Sequence, residues 1–304
     1  MSAAPRSTAP RVIDMRCRPA YLHDFFGKTP GSPGEDLARW LNRRVGTRGD
    51  DAHFIRSRTP DGFLAEVRGA GLAHAVVVGR HTPGQHLPND TIHAIVQGHA
   101  ELIGIGAVDP VLQGEADALA EVERAVKTLG LAGIDLEPGF GAPPRHPDDA
   151  AYFPVYDLAQ QLGVPVFLMT GPTSPDLRFN DPAPVARVAQ AFPRLPIVAY
   201  HGWWPNVQQA IGLAFRYDNV LGVSSTNAPT RKPSRRCSAR RPECRVAPLH
   251  KRRATTQCAA WLAFPSGWPR TAASALSHDL PIARYWLRRA SRIHPHCGAS
   301  ARGY

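Results

Sequence analysis

Seven short apolar runs recur along the first three quarters of the chain, each followed by a stretch with helical spacing. They read VIDM (12–15), AVVVG (75–79), LIGIGAV (102–108), GIDLEP (133–138), PVFLM (165–169), IVAYHG (197–202) and VLGVSS (220–225). The runs are almost continuously apolar, as parallel strands covered on both faces are, rather than alternating. Between them, EADALAEVERAVKTLG (115–130) sets Leu119, Val122, Val126 and Leu129 on one helical face and stops at Gly130. The stretch 147–163 likewise stops at Gly163, and 181–192 opens with Asp181 as N-cap and Pro182 at the first helical position. Strand, crossover helix, strand is the rhythm of a parallel α/β fold. A doubly wound sheet fits the count, and a (β/α)8 barrel fits the regular repeat better. The expectation is an incomplete TIM barrel of seven recognisable strands, with an eighth strand owed beyond Ser225.

Charge divides the 304 residues unevenly. Residues 226–304 hold 16 Lys and Arg against two acids, while residues 1–225 hold 20 against 23. The net charge of +11 therefore describes the C-terminal segment, and the rest has the balance of an ordinary, mildly acidic protein. Three parts are expected: a disordered lead-in (1–10), a barrel (11–225) and a basic, low-order tail (226–304). The tail carries four of the five cysteines, but Cys237, Cys244, His250 and Cys258 match no structural zinc spacing. It reads as an out-of-frame translation of a GC-rich gene, rich in Arg, Pro, Ala and Ser. A basic nucleic-acid-binding tail is the rival reading, and nucleic acid is not the expected partner. No apolar run is long enough to span a membrane and no secretory h-region precedes the first strand, so a soluble, cytoplasmic protein is expected.

The chemistry-bearing residues cluster at strand ends. Arg16 and Arg18 flank Cys17 after the first strand, and equal parity would point both into one mouth, with Cys17 packing on the other side. Arg80 and His81 follow the second strand and are read with them as anion-binding residues. For Arg16 an ion pair with Asp14 or Glu137 is the competing role. Glu137, ending the fourth strand, is a general base or an arginine partner. His201 ends the sixth strand in HGWWP, at the rim where barrel enzymes assemble their sites. His81, His86 and Asp90 would make an alternative metal set, but Pro83-Gly84 implies a turn between the histidines, and Asp90 suits a cap for a helix starting at Thr91. The long segment 20–60 either shapes the mouth or is a surface insertion.

Several stretches, in order, carry a resemblance. VIDMRCRP resembles a first strand ending I-D-x-H-x-H-P. GIDLEPGFGAPPRHPDDAAYFPVYDLAQQLGVPVFLMTG resembles a fourth and fifth strand joined by an Asp-Asp turn and a helix, and LPIVAYHGWWP resembles a strand ending His-Gly. From about residue 11 to 225 the chain resembles the amidohydrolase-related family, the amidohydrolase 2 group, which includes decarboxylases of the aminocarboxymuconate-semialdehyde type. The resemblance implies a (β/α)8 barrel and metal-assisted hydrolysis or decarboxylation. The departures fall on the implied metal ligands. His-x-His is Arg16-x-Arg18, the strand-five histidine is replaced within Met169-Thr170-Gly171, the strand-eight aspartate has no counterpart, and only His201 matches. Guanidinium has no lone pair to give a cation, so no cofactor is expected, with zinc as the minor alternative.

The resulting expectation is a hydrolase acting on a lactone, ester or amide of a small carboxylate-bearing substrate. Its catalytic residues are His201 and Glu137, and its substrate-binding residues are Arg16, Arg18, Arg80 and His81. A decarboxylase, an inactive truncated barrel and a basic-tail nucleic-acid-associated protein are the alternatives, and the oligomeric state is left open. Resequencing the gene across the codons for Ser225 to Arg235 checks the reading of the tail. A single-base correction that restores a strand ending in Asp is expected, and a confirmed reading frame would remove the idea.

Overall fold

In the computed structural model, residues 13–44, 52–169, 171 and 174–222 are described. Their main sheet has seven parallel strands in sequence order: β1 (Ile13–Cys17), β2 (His74–Val78), β5 (Leu102–Ala107), β6 (Ile134–Leu136), β7 (Val166–Leu168), β8 (Ile197–Ala199) and β9 (Val220–Gly222). Each strand pairs with the next, and the sheet curls into an incomplete TIM barrel. The eighth strand expected after Ser225 lies outside the described residues, as do the lead-in and the tail. No helix among the described residues is long and apolar enough to cross a membrane.

Both faces of the sheet are apolar because two cores use alternate residues of the same strands. Ala75, Val77, Ile134, Leu136, Val166, Leu168, Ile197 and Ala199 face outward and pack against the helices. Ile13, Met15, Val76, Val78, Ile105, Phe167, Met169, Val198, Tyr200 and Leu221 face inward. This double use explains why the strands read as unbroken apolar runs.

The helices in the outer layer are α3 (Pro60–Gly69), α4 (Asn89–Val96), α6 (Glu115–Glu123), α7 (Phe153–Leu162), α8 (Ala183–Ala191) and α9 (Val207–Arg216), with the one-turn α5 (Pro110–Gln113) just before α6. Several boundaries differ from the sequence reading. The stretch 115–130 is α-helical only to Glu123, then widens into a π turn over Arg124–Thr128. Helix α8 starts at Ala183, so Asp181 stands one residue before the cap position, where its Oδ1 accepts the Ala183 N–H at 2.9 Å. Asp90 does not cap α4. That helix begins at Asn89 after Pro88, and Asp90 is drawn to Arg124, at 2.6 Å. The IVAYHG run stays a strand only to Ala199, because His201 and Trp203 turn into left-handed backbone.

A hairpin that the sequence reading saw only as a turn follows β2. Strands β3 (Arg80–Thr82) and β4 (Gln85–Leu87) are antiparallel, with Gly84 at φ 74° in the turn. The 20–60 segment contributes two 3-10 turns, Ala20–Leu22 and Asp24–Phe26, then α1 (Pro33–Arg44) and α2 (Ala52–Arg56). Glu35 ties this segment together by accepting from the Gly31 N–H, Arg39 and Arg58. Gly27 has φ 93°, and any Cβ there would run into the Phe54 ring.

Leu136 is fully buried in the outer core, between sheet and helices. Leu136→Ala should lower unfolding free energy by about 2–5 kcal/mol, measured by urea denaturation. A loss under about 1 kcal/mol would mean the outer layer tolerates a cavity.

Candidate functional site in the barrel mouth

The site begins with an irregularity in β1. Ile13 pairs with His74 and Asp14 with Ala75, but the next pair is Cys17 with Val77. Three residues of β1 thus span two of β2, which is a bulge, and it resets the alternation of facing. Met15 is in the inner core and Cys17 in the outer, where its Sγ lies 3.2 Å from Val76 O. Arg16 reaches the inner side, its guanidinium 5.3 Å from the centroid of Tyr200. Arg18 follows it inward.

Arg18 is the hub. Its side chain is 4% exposed. Nε donates to Val78 O at 3.1 Å and Nη2 to Gly79 O at 2.7 Å, fixing it across the end of β2. Nη2 also meets Glu137 Oε1 at 2.6 Å and Asp135 Oδ2 at 3.3 Å. Asp135 and Glu137 point inward together because Ile134 and Leu136, alternating with them on β6, lie in the outer core. Arg80 arrives from the hairpin and places Nη2 3.0 Å from the other Glu137 oxygen, Oε2. Aromatic rings enclose the cations: Phe25 and Phe140 lie 5.7 and 4.8 Å from the Arg80 guanidinium, and Phe26 lies 5.9 Å from that of Arg18.

Burial and mutual repulsion shape the ionisation of the group. Desolvation brings Arg80 down to about 10, with Arg18 and Arg16 pushing the same way and Glu137 opposing them. Burial alone would raise Glu137, but Arg18, Arg80 and Arg16 together hold it below the usual glutamate range. Asp135 is pushed well up, first by desolvation and then by Glu137.

His201 stands after β8 with φ 56°, in a turn whose shape depends on its neighbours. Gly171, at φ 119°, passes so close that a Cβ would lie 2.8 Å from His201 Cβ. Asn180 clips the two loops together. Its Oδ1 accepts the Gly171 N–H and its Nδ2 donates to Trp204 O, both at 2.6 Å. The Nδ1 of His201 is buried with no hydrogen-bond partner among the described residues. Desolvation, then Arg16 and Arg18, holds the imidazole well below its ordinary value, so it is neutral at neutral pH.

Arg16, Arg18, Arg80, Glu137 and His201 therefore share one electrostatic neighbourhood. His81 does not join them. On β3 it faces away from Arg80 and packs against His86, its cross-strand partner, with ring centroids 4.2 Å apart and the rings tilted by 58°. Among the described residues, no group of three or more His, Cys, Asp or Glu could hold a metal ion. Sequence reading missed Asp135, Asn180 and the roofing rings. The equal parity of Asp135 and Glu137 was a usable signal for the first, whereas Asn180 and Phe140 act through loop geometry that no local pattern encodes. Phe25 and Phe26 bring the start of the 20–60 segment against the Arg80 and Arg18 guanidiniums. Thr170, within the stretch that replaces the strand-five histidine, lies outside the described residues.

The family model described as Amidohydrolase matches residues 13–263. The chain belongs to the amidohydrolase family. The family's members are enzymes, typically metal-dependent. The match runs past Ser225 into the basic segment. An uncharacterised TIM-barrel protein, Bb4693 from Bordetella bronchiseptica, is similar at 28% identity and TM-score 0.61, over 70% of this chain and 74% of that one. More distant are 4-oxalomesaconate hydratase from Rhodopseudomonas palustris (15% identity, TM-score 0.45, 69% and 73%) and a dihydroxybenzoic acid decarboxylase from Polaromonas sp. JS666 (19%, 0.41, 64% and 66%). The latter was solved with manganese and 2-nitroresorcinol. No curated protein matches the chain.

The mouth does not fit the divalent ion that such amidohydrolases hold. Arg16 and Arg18 carry fixed positive charge and no lone pair. Both Glu137 oxygens are held by guanidiniums, and His201 lies within the repulsive field of Arg16 and Arg18.

Asn180→Ala should leave the buried Gly171 N–H without a partner, at a cost of about 1–3 kcal/mol. Chemical denaturation reads this as a lowered midpoint. An unchanged midpoint would show that the loops hold without the clip.

Proposed function

We propose that this amidohydrolase is a hydrolase that opens a lactone, ester or amide bond in a small carboxylate-bearing substrate, without a divalent ion at the mouth. The observation that carries the reading is the gathering of three guanidiniums beside an imidazole that burial, and then two of them, keep neutral. Guanidinium forks pair with carboxylates, and enclosure by aromatic rings strengthens that pairing by excluding water. Arg16, on the inner side of the barrel beside the Tyr200 ring, is the side chain placed to meet the substrate. Arg18 and Arg80 supply a fixed positive field. Glu137, with both oxygens engaged and its ionised form favoured, positions these two arginines rather than acting as a base.

His201 is the base. As water attacks the carbonyl carbon, the neutral imidazole takes a proton from the water, and the arginines stabilise the negative oxygen that forms. The same arginines destabilise the imidazolium, so it readily gives its proton to the departing oxygen as the C–O bond breaks. This order suits a lactone or ester better than an amide, whose poorer leaving group needs a stronger acid. Cationic Arg16 and Arg18 take the place that metal-binding histidines hold in the resemblance, and the anion they attract is organic.

Rate should follow this chemistry. His201→Ala should lower kcat about 10²–10⁴-fold, and Arg16→Met should mainly raise KM. The base must be unprotonated, which holds above its depressed pKa. The rate should therefore stay level through neutrality and fall only well below the ordinary histidine value of 6.5. In Arg16→Met that acid limb should move upward. Dialysis against a chelator should leave the rate unchanged. A rate lost to the chelator and restored by zinc or manganese would sink the metal-free reading.

A further inference from the structure

The Pro83-Gly84 turn, which separates His81 from His86 along the sequence, is what brings them together in space. With Gly84 at φ 74° the chain folds straight back, and His81 pairs in register with His86 across β3 and β4. Their ring centroids lie 4.2 Å apart. The opposite face of the hairpin is buried through Arg80, Thr82, Gln85 and Leu87. Arg80 is held there by Glu137 at 3.0 Å, and its Nε donates to Thr82 Oγ1 at 3.2 Å. His81 is half-buried and His86 exposed. The backbone beneath the two rings is thus fixed from behind, while the pair stands at the surface. Imidazole is a ligand that zinc, copper and nickel share. A metal–nitrogen distance of about 2 Å puts two nitrogens on one ion about 3 Å apart. Directly opposed residues of an antiparallel pair have Cβ atoms about 5 Å apart, so side-chain rotation alone brings both rings to one ion. A backbone already in place loses little freedom on binding.

We propose that His81 and His86 form a two-imidazole chelate for a divalent transition ion of the copper, nickel and zinc class, with water in the remaining positions. Glu121, whose charge reaches His81, is engaged by Asn89 and Arg124 and supplies no third ligand. Magnesium and calcium, which take oxygen ligands, do not suit the pair. Affinity should rise from cobalt to nickel to copper. An ion there clamps β3 to β4 on the face away from Arg80. It takes no part in the chemistry proposed for the mouth, so this site stands or falls independently of that reading.

Nickel chloride added to the whole chain is the probe. Bound nickel is paramagnetic and broadens the ring-proton signals of nearby imidazoles, so proton NMR reports where it sits. The chain has 13 histidines, and the ring signals missing from His81→Gln and His86→Gln identify the pair. On addition of nickel those two signals should broaden together, and an excess of magnesium should not restore them. Equilibrium dialysis tests the chelate. Either single variant should bind nickel at this site at least about tenfold more weakly than the native chain. The double variant should lose the same one ion rather than two. Both rings stand at the surface of the hairpin, so the variants should keep the native fold, and the native spectrum locates the ion even if one does not. Broadening of other histidines that leaves these two sharp would overturn the proposal. So would a single variant that binds nickel as tightly as the native chain, or a double variant that loses two ions.

Discussion

Glu137 holds Arg18 with one oxygen and Arg80 with the other, and the geometry of the mouth hangs on that double ion pair. It joins three segments far apart in sequence: the end of β1, the hairpin after β2 and the end of β6. A pair buried this deeply is weak evidence for stability, because each ion gives up its hydration to be there. What it provides is placement. Arg18 is held by two carbonyls as well as by Glu137, so its guanidinium has one position. Arg80 is held between two phenyl rings.

The barrel architecture was readable from the sequence because it depends on repetition. Seven apolar runs and the helices between them required no knowledge of any single contact, and the two-sided cores explain why the runs are unbroken. Helix limits were less legible. The cap expected at Asp90 was lost to an ion pair with Arg124, a residue 34 positions away whose attraction local propensity does not register. At Asp181 the pattern was right in kind but displaced by one residue, since Pro182 takes the cap position.

The grouping of the candidate site's side chains was partly legible, and their arrangement less so. Arg16, Arg18, Arg80, Glu137 and His201 were all marked by their place at strand ends. Parity alone was an incomplete guide, because the bulge in β1 is what turns Arg16 and Arg18 inward after Met15 has already faced that way. His81 was grouped with Arg80 by adjacency, yet adjacent residues on a strand face opposite sides, and its partner is His86. Asp135 was hidden in plain view inside GIDLEP, read as backbone of a strand rather than as a charge that a barrel interior must accommodate.

The aromatic roof over the arginines bears on how this mouth meets its ligand in solution. Phe25, Phe26 and Phe140 stand where bulk water and small ions would otherwise gather around the guanidiniums. Charges open to solvent lose their influence as ionic strength rises, whereas charges walled in by hydrocarbon are screened much less. Under the proposed reading, capture of an anion here would be a matter of close fit and dehydration more than of long-range steering, and would persist in concentrated salt where a surface cluster of arginines would fall silent.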